Sequence, residues 1–174
     1  MTQIMMPEET DSVQASFRLA EGIGQRLRLA VAHKNDLEIG RILQETARLF
    51  KNSTTVTQYK LLTEAVELQC AHIVTLLRVA LLENESALVR HEAAFGLGLL
   101  GDSSDIVLLA NAMLSDPHLM VRHEAAIALG AIGDATALAS LAEAVHDPEI
   151  SVAESARFGL EQVLVRLGTP NLNP

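Results

Sequence analysis

One six-residue string occurs twice in this sequence and contains side chains that could bind a metal ion. Residues 89–94 and 121–126 both read Val-Arg-His-Glu-Ala-Ala. Imidazole and carboxylate groups are common ligands of transition metals. The second copy begins 32 residues after the first, a spacing typical of helical-hairpin repeats that stack side by side. Stacking brings equivalent positions together, so a metal site is predicted at His91, Glu92, His123 and Glu124.

A structural explanation of the same residues stays open beside the metal hypothesis. A single His-Glu pair near a helix start is common, because a glutamate in the first turn complements the helix dipole. Two copies in register favour a metal site over that explanation. A recent duplication of a neutral unit would nevertheless imitate the pattern.

The composition predicts an all-α fold. The chain has 174 residues and is 49% hydrophobic, yet it contains one tyrosine, four phenylalanines and no tryptophan. Alanine and leucine dominate, as close packing of helices requires and as a sandwich or barrel does not. This length suits one hydrophobic core, so we expect a single domain.

Charge and hydropathy exclude several classes of partner. The formal net charge of −9 would repel a phosphate backbone, so no nucleic-acid partner is expected. The longest apolar runs are too short to span a bilayer, so no membrane insertion is expected. The single cysteine, Cys70, cannot form an internal disulfide, and no signal peptide is recognisable. We therefore expect a cytoplasmic protein.

Regularly spaced helix-ending residues predict three units of two helices joined by a turn, at about residues 71–101, 103–133 and 135–167. An Asp-Pro pair at 116–117 and another at 147–148 precede second helices, while Gly-Asp pairs at 101–102 and 133–134 end them. The second helices share small residues that let neighbouring helices approach closely. Residues 13–168 are expected to form the repeat domain, between a disordered lead-in at 1–12 and a tail at 169–174.

The pattern is weaker upstream. Residues 16–32, 37–50 and 54–83 show helical spacing of apolar residues, for example Ile23, Leu27, Ala30 and Val31. The last of these stretches lacks Gly and Pro, so one long helix or two abutting helices would fill it. A degenerate repeat is expected here, serving as a cap or as a dimer contact.

The spacing of Asp-Pro, Val-Arg, Ala-Ala and Leu-Gly over residues 71–167 resembles the HEAT-like repeats, which build helical solenoids. In that pattern the arginine after Val is structural, so Arg90 and Arg122 are expected to bond acidic turns such as Asp116 or Asp102. The two positions after the arginine are free in an ordinary HEAT repeat and lie on the helix that lines the concave face. This chain has His-Glu there twice.

The His-Glu repeats, followed by Val-Ala-Glu-Ser at residues 152–155, resemble one half of deoxyhypusine hydroxylase. That family is a HEAT-repeat di-iron enzyme in which two halves each contribute two His-Glu motifs. The resemblance implies that His91, Glu92, His123 and Glu124 are iron ligands. The chain departs from the family in having one half only, and in Ala153, where the family has arginine.

Ligand counting then predicts a homodimer. One chain supplies two histidines and two glutamates, half of what a family-type centre takes, so a two-fold symmetric partner would supply the rest. The resemblance implies that His91 and His123 of one subunit share an iron with the partner's glutamates, which gives two irons per dimer. Manganese or zinc are alternative metals. Coordination positions would remain for water, O2 or peroxide.

Three classes of function follow. The first is a homodimeric non-haem di-iron protein that binds or activates O2 or peroxide, with a hydroxylase-like oxidoreductase such as a monooxygenase or peroxidase included. The second is an O2-binding or metal-storage protein without an organic substrate. The third is a metal-free HEAT scaffold for a protein partner, or a relative of the phycobilin lyases. Whether the chain is an enzyme is left open by the sequence.

Residues outside the repeated string are weaker candidates. His33, His72, His118 and His146 lack repeated partners and are expected at the surface. Glu154 occupies the position of the repeated histidine in the third unit. It is either a hydrogen-bond acceptor near the metals or part of a plain polar face.

Overall fold

The computed structural model describes residues 7–51, 53–67 and 73–169, which form nine α-helices and no strand. The all-α prediction is confirmed. The chain divides between Leu76 and Leu77 into two compact units, and the prediction of one domain over residues 13–168 stays a prediction. Cys70, His72, residues 1–6 of the predicted lead-in and residues 170–174 of the predicted tail lie outside the described residues.

The first unit contains helices α1 (Pro7–Ala32), α2 (Asp36–Lys51) and α3 (Thr55–Glu67). Helix α1 begins inside the predicted lead-in, so residues 7–12 are helical. It packs against both α2 and α3. Its predicted apolar stripe is buried at Ile23, Leu27 and Ala30, whereas Val31 is half-buried. The buried apolar side chains of the other two helices include Ile39, Ile42 and Phe50 from α2, and Leu61, Leu62 and Val66 from α3.

Three pairs of helices follow α3. They are α4 (Val74–Glu83) with α5 (Ala87–Leu100), α6 (Ile106–Ser115) with α7 (Leu119–Ile132), and α8 (Leu138–Ala144) with α9 (Ile150–Arg166). The stretch 54–83 therefore holds two helices, α3 and α4, with residues 68–72 between them outside the described part of the chain. No helix within the described ranges is long and apolar enough to cross a membrane.

Left-handed glycines end two of the second helices, as the sequence predicts. Gly101 after α5 and Gly133 after α7 have φ angles of +70° and +72°, a region that glycine reaches without steric cost. Asp102 and Asp134 follow directly, and each side chain accepts a hydrogen bond from the backbone N–H two residues on. In both places the aspartate begins a single 3-10 turn, and the first helix of the next pair follows that turn directly.

The second helices form one layer, in which α7 packs against α5 on one side and α9 on the other. Small residues bring their backbones together. A Cβ added to Gly130 would lie 2.6 Å from the Cα of Gly159, and one added to Gly98 would lie 2.7 Å from the Cα of Ala128. The predicted close approach is confirmed, and it holds equivalent turns of α5, α7 and α9 side by side.

Candidate metal centre

Two arginines set the register of the helix pairs. The guanidinium of Arg90 donates two hydrogen bonds to the carboxylate of Asp116, at 2.7 and 2.9 Å, and also binds the carbonyls of residues 84 and 85. Arg122 donates to Asp147 in the same two-pronged way, at 2.8 and 3.1 Å. The prediction that these arginines bond acidic turns is confirmed, and each ion pair links one repeat to the next.

The Arg122 ion pair lowers the pKa of Asp147. The main cause is the hydrogen bond from Arg122, which favours the ionised carboxylate, while burial acts in the opposite direction. Arg122 and Asp147 have side chains only 14% and 9% exposed, so this contact is better shielded from water than an ordinary surface ion pair. The Arg122–Asp147 ion pair therefore stabilises the contact between two neighbouring repeats.

The repeated His-Glu residues lie in the second turn of α5 and of α7. The structure brings one histidine and one glutamate of different repeats into contact, with Nε2 of His91 3.3 Å from Oε2 of Glu124. Both glutamates, Glu92 and Glu124, are buried, whereas His91 and His123 are half-buried. His91 and Glu124 hold the first and second positions of their motifs, so this contact joins non-equivalent positions of neighbouring repeats, and the four-residue metal site stays a prediction.

The contact with Glu124 affects the pKa of His91. The hydrogen bond to Glu124 raises the pKa of His91, burial opposes the rise, and the charges of Glu124 and Glu92 add to it. Within the described part of the chain, Nδ1 of His91 is buried and has no hydrogen-bond partner. A buried nitrogen without a partner is costly in a purely structural histidine.

His123 has different surroundings. Its Nδ1 lies 2.7 Å from the hydroxyl oxygen of Ser155 on α9, and that hydroxyl lies 2.8 Å from the backbone carbonyl of Ser151. Glu154, the acceptor considered from the sequence, is exposed. The residue that contacts His123 is its neighbour Ser155. The only sequence signal for it was its alignment with Glu124 in the preceding repeat.

The donor set suits a divalent transition metal, but one chain does not complete a site. Two imidazoles and two carboxylates balance the charge of Fe(II) and leave coordination positions open. Among the described residues, no group of three or more potential ligands is close enough to hold a metal ion.

The remaining described histidines lie at the surface. His33, His118 and His146 are exposed, as predicted. His118 caps the start of α7 by accepting a hydrogen bond from the backbone N–H of Met120.

An apolar row runs one helical turn beyond the histidine positions. It consists of Phe95 on α5, Ile127 on α7 and Phe158 on α9, each four residues after the first position of its motif. Phe95 is 43% exposed, Phe158 is 54% exposed and Ile127 is half-buried. Solvent-facing phenylalanines at equivalent positions next to candidate ligands mark a surface suited to contact with another molecule.

The repeats match a known family. The family model for HEAT repeats matches residues 74–161, which is half of the chain. This chain belongs to the HEAT-repeat family. The matched residues include α4 to α8 and most of α9, and thus all four candidate ligands.

A solved HEAT-repeat structure extends the comparison over nearly the whole chain. Human deoxyhypusine hydroxylase, determined in complex with glycerol, is 26% identical and superposes with a TM-score of 0.60. The match covers 93% of this chain and 50% of that protein. The chain therefore resembles a half of this hydroxylase, as the sequence predicted. No curated protein shows significant sequence similarity to it.

Proposed function

We propose that this HEAT-repeat protein is a homodimeric non-haem di-iron protein that binds or activates O2 or peroxide at a centre shared between subunits. The observation that carries the proposal is the contact between His91 and Glu124, which brings the two His-Glu motifs of one chain into a single patch that a second copy could face. His91, Glu92, His123 and Glu124 are the proposed ligands.

The half-length match supports a shared centre. The hydroxylase family carries two halves in one chain, each with two His-Glu motifs, and the present chain spans half of the human protein. Two copies related by a two-fold axis would place the same patch face to face and double the number of ligands. We propose that His91 and His123 of each subunit share a metal with the glutamates of the other, giving two irons per dimer.

The apolar row supports a second copy as the molecule that covers this surface. In a two-fold dimer that joins the His-Glu patches, the row of Phe95, Ile127 and Phe158 would lie at or beside the interface. Exposed phenylalanine is costly in water, and its burial contributes about 25 cal/mol per Å² of apolar area. The same cover would limit the access of water to the metals.

Bound iron would supply the binding and activation of O2 or peroxide, as the resemblance implies. The chain itself would supply neutral imidazoles and ionised carboxylates at the metal. For His91 this requires loss of the Nε2 proton that faces Glu124, so metal binding and protonation compete at this side chain. A hydroxylase-like oxidoreductase is the activity that fits these residues and the family best.

Oxidant consumption by matched variants tests the proposal. The protein would be loaded anaerobically with Fe(II), and uptake of O2 or peroxide would be followed for the wild type, H91A/H123A and the exposed-histidine control H146A. Rapid uptake by wild type and H146A, with loss in the double variant, is expected. Equal uptake by all three would contradict the assignment of the ligands. Reversible uptake without product would instead indicate an O2-binding protein.

A further inference from the structure

The third repeat carries no His-Glu pair, yet it contacts the candidate centre. In α9 the equivalent positions hold Glu154 and Ser155, and Ser155 is buried against His123. Each histidine thus meets the second motif position of the following repeat. His91 meets Glu124, and His123 meets Ser155. The last repeat offers a neutral hydroxyl where the middle repeat offers a carboxylate.

The groups around Nδ1 of His123 favour one position for the imidazole proton. A serine hydroxyl has one hydrogen, and here it points to the carbonyl of Ser151, one helical turn back, at 2.8 Å. With its hydrogen used in that bond, the oxygen accepts from Nδ1 of His123 at 2.7 Å, and the same carbonyl, which can only accept, lies 3.5 Å from Nδ1. Two acceptors beside Nδ1 fit an imidazole that is protonated on Nδ1 and keeps its lone pair on Nε2.

We infer that Ser155 is a positioning residue that holds His123 in the tautomer with Nδ1 protonated and presents Nε2 to a metal ion. The inference rests on the proposed metal site. A metal-ligating histidine commonly donates its other N–H to a carboxylate, carbonyl or water, which sets the orientation of the ring. Ser155 fills that place here.

The contrast with His91 gives the test an internal reference. Within the described residues, Nδ1 of His91 has no partner and its Nε2 faces Glu124. Replacement of Ser155 should change His123 and leave His91 as it was. A generally loosened fold would alter both rings.

The first test is the tautomer in the metal-free protein, read from the ¹⁵N shifts of the imidazole nitrogens at about pH 8, where an ordinary histidine is neutral. Wild type, S155A, S155T and the exposed-serine control S115A would be compared. We expect the Nδ1-protonated form of His123 in wild type, S155T and S115A, and a mixed or reversed population in S155A. Wild-type nitrogen shifts for His123 in S155A would overturn the inference.

The second test is the affinity for Fe(II), measured anaerobically on the same four proteins. Loss of such a supporting hydrogen bond weakens metal binding about 10–100-fold, so S155A should lose that much while S155T and S115A retain wild-type affinity. A changed tautomer with unchanged affinity would overturn the positioning role. Absence of Fe(II) binding by wild type would overturn the proposed function, and with it the metal role of Ser155, while the shifts would still decide the tautomer.

Discussion

At the scale of single residues, the two histidines of the candidate centre use different ring nitrogens for their contacts. His91 faces a carboxylate through Nε2, and His123 faces a hydroxyl through Nδ1. The sequence could name both histidines and both glutamates because the string is repeated. It could not name Ser155, since the choice between two adjacent polar side chains depends on the rotation of α9 against α7.

The metal-free protein should show a pH dependence that belongs to His91 and Glu124. The contact raises the pKa of His91, so its stabilising effect is fully present below the unfolded value of about 6.5 and is lost as pH rises through the raised value. Urea unfolding of the metal-free protein between about pH 6 and pH 9 would measure this for wild type, E124Q and the exposed-residue control E154Q.

We expect the free energy of unfolding to fall as the pH rises over this range in wild type and E154Q, and to change less with pH in E124Q. Wild-type behaviour of E124Q would mean that Glu124 does not stabilise the imidazolium form of His91.

At the scale of elements, two features fix how neighbouring helix pairs are aligned. The backbones of the second helices approach closely at small residues, and Arg-Asp ion pairs link one repeat to the next. The hairpin order and the helix ends could be predicted, because Asp-Pro and Gly-Asp mark them in the sequence. The beginning of α1 at Pro7 was not foreseen, because residues 7–12 contain acids and a proline that read as a solvated segment. Proline is nevertheless well accommodated at a helix start.

Gly130→Ala should separate α7 from α9. The added methyl would lie 2.6 Å from the Cα of Gly159, so backbone must move, and overpacking of this kind costs about 1–3 kcal/mol. Urea unfolding would measure the loss of free energy. The control is Gly40→Ala in α2, where a Cβ would meet nothing within 4 Å and helix propensity favours alanine by about 0.5–1 kcal/mol. Equal stability of G130A and wild type would contradict the close contact.

Arg122→Met should destabilise the second unit by about 1–3 kcal/mol, since it leaves the half-buried carboxylate of Asp147 without its cation. The exposed Arg157 on α9 provides the control, and R157M should change the unfolding free energy by no more than about 0.5 kcal/mol. Because the pKa of Asp147 is lowered, its contribution is present above about pH 4 and lost below. A similar small effect for both variants would contradict a structural role of Arg122.

At the scale of the whole molecule, the account depends on a second copy of the chain. The repeat family and the half-length relation could be read from the spacing of motifs, and the match to a hydroxylase twice as long bears out that relation. The homodimer was predicted by counting ligands and stays a prediction, whereas the surface proposed for its interface could not be predicted, because it depends on which side chains of α5, α7 and α9 remain exposed.

Phe158→Glu should shift the protein toward monomer. Phe158 is 54% exposed in the single chain, so the substitution should leave the fold intact and affect only a contact between chains. The control is Val107→Glu on α6, a first helix of its pair, where Val107 is 72% exposed. Light scattering on eluting protein would report the mass. An unchanged mass for F158E would exclude the apolar row from the interface.

The most direct test of the central claim is elemental analysis of the iron-loaded protein, with the molar mass determined in the same elution peak. The account predicts about one iron per chain in a dimer, consistent with sites completed by two subunits. Removal of the metal by a chelator should move the mass toward monomer if binding is linked to assembly. Absence of bound transition metal after anaerobic loading would contradict the account and assign the His-Glu repeats a structural role.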